Sequence, residues 1–114
     1  MMELYLANVS FVCGLVFLLA GFIMHKWPPK KINGLYGYRT GSSMRSQERW
    51  DFAQAYAAGQ MIRCGVAMTV TGVLMALFSI KEGVIMAVGM ALLIMLTLYL
   101  IYSTEAAIKK KFKN

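Results

Sequence analysis

Charge is scarce in this chain. Only 15% of its 114 residues are Asp, Glu, Lys or Arg, against about 25% in an ordinary soluble domain. Acidic residues number just five, and there are two prolines, two cysteines and one histidine. With a single histidine and no Cys-x-x-Cys spacing, zinc-finger and dithiol redox motifs are excluded. Cys13 and Cys64 lie inside apolar runs and are expected to be free, inert thiols. No metal or other cofactor is expected. A hydrophobic content of 59%, with ten Met and ten Gly, excludes a disordered chain and most soluble domains. The expected fold class is all-α: one integral membrane domain over residues 1–114, built as a three-helix bundle.

Three apolar runs support this expectation. The first, Leu4 to Met24, matches the roughly 20 residues needed to cross the hydrocarbon core. It is not read as a cleaved signal peptide, because Glu3 precedes it and no Lys or Arg does. Pro28 and Pro29 end that helix. Residues 25–50 form a loop rich in glycine and charge. Ser46 is the expected N-cap of a second helix running from Gln47 to about Ile80, with Glu48 in its first turn. Such a helix would be about 51 Å long, more than one membrane thickness. Its apolar part, 58–80, is the second span, and its start extends into the interface. Lys81-Glu82-Gly83 is expected to turn the chain into a third span over 84–102, followed by a basic tail, 103–114.

Charge asymmetry gives the orientation. Lys26, Lys30, Lys31, Arg39, Arg45 and Arg49 lie in the loop, and Lys109, Lys110, Lys111 and Lys113 in the tail. The opposite side has only Lys81. The positive-inside rule then predicts a cytoplasmic loop and C-terminus and an outside N-terminus. Trp27, Trp50, Tyr99 and Tyr102 fall at interface depth. The basic surplus is expected to meet anionic lipid headgroups, not nucleic acid.

Ala58, Gly65, Thr69, Gly72 and Ala76 form a small-residue stripe on the second span. Ala87 and Ala91 repeat the spacing on the third, so these two spans are expected to pack together. A homodimer is also expected. Tyr56, Gln60 and Arg63 share another line of the second helix. They could form a polar intramembrane site, or Arg63 could snorkel to the headgroups.

The loop carries the remaining chemistry. It lacks a phosphate-binding Gly-x4-Gly-Lys-Ser/Thr pattern and a catalytic triad, so no catalytic residues are expected. A structural clamp tying the loop onto the second helix is expected instead: Glu48 and Asp51 could pair with Arg45, Arg49 or Arg39, and the expected members are Asn33, Tyr36, Gly37, Arg39, Thr40, Glu48 and Trp50. In it Arg39 would bond a carboxylate, Glu48 first, Gly37 would allow a turn, and Trp50 would anchor the helix entry at the interface.

Asn33, then Tyr36-Gly37-Tyr38-Arg39-Thr40, then Ser43-Met44, and Glu48 two residues before Trp50 resemble the signature of the SdpI family of bacterial membrane proteins. The family's pattern places Asn after Trp-x-x-Ala; this chain has Gln54, which keeps the amide on a stem one methylene longer. The resemblance implies a non-enzymatic multi-pass protein of the bacterial plasma membrane, giving immunity or tolerance to a membrane-active peptide toxin. It also implies a signalling role through a cytoplasmic regulator. A small transporter or lipid-binding protein using Arg63 is the alternative.

Overall fold

The computed structural model describes residues 8–78 and 80–112. It contains three helices, α1 (Val9–Lys26), α2 (Gln47–Leu77) and α3 (Glu82–Phe112). Each is long and apolar enough to cross a membrane, and no strand occurs among the described residues. The fold is therefore the expected all-α arrangement of three spans.

Local chemistry sets most of the helix ends. Asn8 caps α1, its side-chain oxygen accepting from the Phe11 N–H at 3.0 Å. The expected start at Leu4 lies outside the described residues. The helix stops at Lys26, with Trp27 as C-cap just before the two prolines. Ser46 caps α2 as expected, accepting from the Arg49 N–H at 3.2 Å.

The second connection differs from expectation. α2 ends at Leu77, and Glu82 and Gly83 are already helical, so the turn comes earlier in the chain. The Lys81 carbonyl accepts from the Ile85 N–H at 2.9 Å, and Glu82 meets the positive end of the α3 dipole. The expected tail is also mostly helix, since α3 continues unbroken to Phe112. Ala106, Ala107 and the three lysines that follow are good helix formers, and the lysines meet the negative end of the dipole.

At 31 residues each, α2 and α3 are about 46 Å long, well beyond a hydrocarbon core of about 30 Å. The chain's long dimension is 49 Å. The excess lies at one end, where the start of α2, the end of α3 and the connecting loop 27–46 form a polar headpiece. Loop and C-terminal segment thus share one side, as three antiparallel spans require.

In lipid, helices gain little from hydrophobic burial and associate through close packing. The small-residue stripe of α2 serves this purpose against α1, the helix it contacts most extensively. A Cβ on Gly65 would lie 2.7 Å from the Leu18 nitrogen, and one on Gly14 would lie 2.5 Å from the Thr69 nitrogen. Only glycine allows the two backbones to approach this closely. The expected pairing of this stripe with Ala87 and Ala91 is not formed: both alanines are exposed. α3 instead turns Ile85, Gly89, Leu100, Thr104 and Ile108 inward, a spacing of about four residues that leaves the alanines outside. Cys13 and Cys64 are both free, as expected. Large apolar side chains such as Leu19, Phe22, Met95 and Leu98 face outward along the spans, where lipid covers them.

Candidate functional site

The headpiece is organised around two polar side chains, one on each long helix. On α2, Gln54 is almost fully buried. Its amide oxygen accepts from the Tyr38 N–H at 2.7 Å, and its amide nitrogen donates to the Tyr38 carbonyl at 2.8 Å. One side chain thus pairs both backbone groups of a loop residue, as a neighbouring β-strand would. Gly37, next to it, has φ +106°, and an added Cβ would lie 2.6 Å from the Gln54 amide oxygen. Glycine is needed there for the turn and for the close approach.

On α3, Glu105 accepts three side-chain hydrogen bonds. Its Oε2 receives the Tyr38 hydroxyl at 2.6 Å and the Thr40 hydroxyl at 2.7 Å, and its Oε1 receives the Ser42 hydroxyl at 2.8 Å. Ser43 is fully buried and closes the loop on itself, donating to the Tyr38 carbonyl and accepting from the Thr40 N–H. Tyr38, Thr40 and Ser42 alternate with Arg39 and Gly41, and only the first set faces α3.

That alternation corrects the expected clamp. Arg39 lies between two inward residues and is exposed, and Glu48 is exposed as well. No ion pair joins them among the described residues. On α2, Arg49, Trp50, Ala53 and Gln54 face the bundle, while Glu48 and Asp51 face away, one turn of phase apart. The buried arginine is Arg49, and the clamping carboxylate is Glu105.

Other expected members do take part. Asn33 accepts from the Leu35 and Tyr36 N–H groups at 2.9 and 2.7 Å, forming an Asx turn. The Tyr36 hydroxyl donates to the Trp27 carbonyl at 2.8 Å. Trp50 anchors the helix entry, but not at a lipid interface: it is fully buried and donates to the Pro29 carbonyl at 2.7 Å. Trp27, Tyr99 and Tyr102 are exposed on the outside of the bundle. Within the spans, Gln60 donates to the Tyr56 hydroxyl at 3.2 Å. Arg63 is exposed on the outer face and makes no hydrogen bond to either among the described residues.

Sequence reading gave Glu105 and Gln54 no organising role, and it offered Arg49 only as one of three partners for Glu48 or Asp51. The signal for Glu105 was its position: it is the one acidic residue beyond the third span, on the side that also holds the loop.

Electrostatics follow from this geometry. Burial by itself would raise the Glu105 pKa. The hydrogen bonds from Tyr38, Thr40 and Ser42, with the Arg49 charge nearby, outweigh it and hold the carboxyl below the usual range. Tyr38 moves the other way: burial first, then the bond to Glu105 and its charge, push the phenol well above the usual tyrosine value. It stays protonated and donates.

A depressed carboxylate pKa stabilises the fold above its unfolded value, about 4.3, and that stability is lost as pH falls through the lower folded value. A raised tyrosine pKa stabilises below about 10 and is lost only as pH rises through the folded value. The loop should therefore hold through neutral pH and release in acid. The melting temperature of the detergent-solubilised protein should exceed that of Glu105→Gln at pH 7, and the gap should start to narrow as pH falls below the unfolded value of about 4.3. A gap unchanged down to pH 3 would mean that the Glu105 charge does not hold the loop.

No solved structure matches this chain. Over 64 residues it is 41% identical to the uncharacterized protein YfhL of Bacillus subtilis (strain 168), a stretch covering 56% of this chain and 58% of that protein. The matched region thus spans little more than half of each. The family model for the SdpI/YfhL protein family matches residues 30–103, well over half of the chain. That segment includes the Asn33 turn, the Tyr38–Ser43 strap, Trp50 and Gln54, and ends just short of Glu105. The chain belongs to the SdpI/YfhL family.

Proposed function

We propose that this protein gives a bacterial cell tolerance to a membrane-active peptide toxin without catalysing a reaction, its loop and C-terminus lying in the cytoplasm. Family membership carries the reading. The headpiece is consistent with it. Glu105 is engaged by three hydroxyl donors and is not poised as a general base. Beneath the strap, an apolar groove of about 410 Å³ opens between the end of α1, Met61 and Leu100, with Tyr36 and Tyr38 as its polar rim. An amphipathic peptide entering from the membrane interface would find an apolar floor and a polar edge there. Leu35, 94% exposed, and Arg39 stand on the outer surface of the loop, where a cytoplasmic regulator would read its state. The transporter alternative gains nothing comparable, because Arg63 is exposed and makes no hydrogen bond to the Tyr56–Gln60 pair among the described residues.

The test is survival of cells lacking the gene, with and without the expressed chain, against a panel of membrane-active peptides. Selective protection from one peptide is expected, and it should be lost in Glu105→Ala at equal protein level. Absence of protection from every peptide would remove the tolerance reading.

A further inference from the structure

A second cavity, of about 430 Å³, opens on the other side of the Glu105 strap, between the start of α2 and the end of α3. Its walls carry Ser42, Arg45, Arg49, Tyr102, Glu105 and Lys109. We propose that this cleft binds the phosphate of an anionic phospholipid, holding one lipid against α3 at the headpiece.

Arg49 is the first observation. It is 5% exposed, so its charge has been taken almost entirely out of water. Yet it forms no ion pair among the described residues. Its Nη1 donates to the Ser42 carbonyl at a long 3.4 Å, its Cζ lies 5.3 Å from the centre of the Phe112 ring, and its Nη2 has no acceptor. A buried guanidinium left partly unpaired is costly unless an anion completes it, and its planar fork suits phosphate oxygens.

The charge balance of the walls is the second. Arg45, Arg49 and Lys109 supply three positive charges against the one carboxylate of Glu105, whose oxygens are already taken by Tyr38, Thr40 and Ser42. A surplus of two positive charges remains to attract a phosphate mono- or diester. Arg45 and Lys109 are exposed at the rim, free to swing toward it.

The third observation distinguishes a lipid from free phosphate. On α3, Met95, Leu98, Tyr102, Ala106 and Lys109 recur at three- and four-residue intervals and so share one face. Tyr102, Ala106 and Lys109 line the cleft. Below them Leu98 and Met95, on the apolar span, are 61% and 64% exposed. A lipid lying along this face would set its acyl chains on Met95 and Leu98 and bring its headgroup to the arginines. Soluble phosphate would have no use for the apolar part of the stripe.

The inference does not depend on the tolerance reading. Its test is native mass spectrometry of the full chain after delipidation in detergent, titrated separately with dioctanoyl phosphatidylglycerol, dioctanoyl phosphatidylcholine and inorganic phosphate. Phosphatidylglycerol is expected to bind at least tenfold more tightly than phosphatidylcholine. The double variant Arg45→Ala/Lys109→Ala, altered only at the exposed rim, should lose that preference. Arg49→Gln should weaken binding further, but it also disturbs the packing under Ser42, so the rim pair carries the decision. Equal binding of the two lipids, or a preference that survives the rim substitutions, would overturn the proposal. Inorganic phosphate binding as tightly as phosphatidylglycerol would keep the anion site and overturn its assignment to lipid.

Discussion

Glu105→Ala is expected to release the Tyr38–Ser43 strap while leaving the three spans assembled. The substitution removes the acceptor for three hydroxyls and a negative charge that interacts with buried Arg49. Hydrogen bonds to a charged group are worth roughly 1.5–3 kcal/mol each when well buried. Glu105 is only partly buried, so water screens and replaces part of that, and a total of about 2–3 kcal/mol is the reasonable scale. Hydrogen-exchange mass spectrometry should locate the change: amides of residues 38–44 should lose protection, while those of α1 and the α2 stripe keep theirs. Arg39→Ala provides the contrast. Arg39 is exposed and unpaired among the described residues, so its loss should stay within about 0.5 kcal/mol. If the two variants ranked the other way, with Arg39 the costly one, the strap would be held by a contact that this geometry does not contain.

The same two residues mark how far the sequence could be read. Three spans, the Ser46 cap, the proline stop after α1 and the shared side of loop and C-terminus follow from periodicity, cap chemistry and span count. Those signals are local or additive, and the structure bears them out. Partner choice across the bundle is neither. The small-residue stripe on α2 indicated close packing but not against which helix, and it meets α1 because Gly14 offers the matching gap. Arg39 and Glu48 are complementary in charge and near in sequence, so pairing them within the loop was the natural reading. What decides against it is phase: strap alternation turns Arg39 outward, and helical phase turns Glu48 outward. Glu105 lies 65 residues beyond Thr40 and could be placed opposite the strap only once α3 was known to continue past its apolar stretch. The Gln54 contact was hidden for another reason. A side chain that pairs with backbone leaves no complementary residue type in the sequence to reveal its partner.

Trp50→Ala should be the most destabilising single change in the headpiece. The indole is completely buried at the start of α2, and its N–H donates to the Pro29 carbonyl at 2.7 Å. Truncating a buried aromatic to alanine typically costs about 3–5 kcal/mol, through lost contacts and the cavity left behind. Trp50→Phe keeps most of the ring but leaves the Pro29 carbonyl without its donor, a loss of about 1–3 kcal/mol. Trp27 serves as the internal control: it is 63% exposed, and Trp27→Ala should change detergent stability little. Trp50 and Glu105 sit on different helices and hold different parts of one loop, the first at Pro29 and the second at Tyr38 to Ser42. If the loop opens as a unit, the Trp50→Ala/Glu105→Ala double variant should lose less stability than the two single losses added together, since a loop freed at one anchor has less to lose at the other. Strict additivity in denaturant unfolding would mean that the Pro29 end and the Tyr38–Ser43 strap open independently. In that case the Asn33 turn between them would act as a hinge, and only the strap would follow the protonation of Glu105.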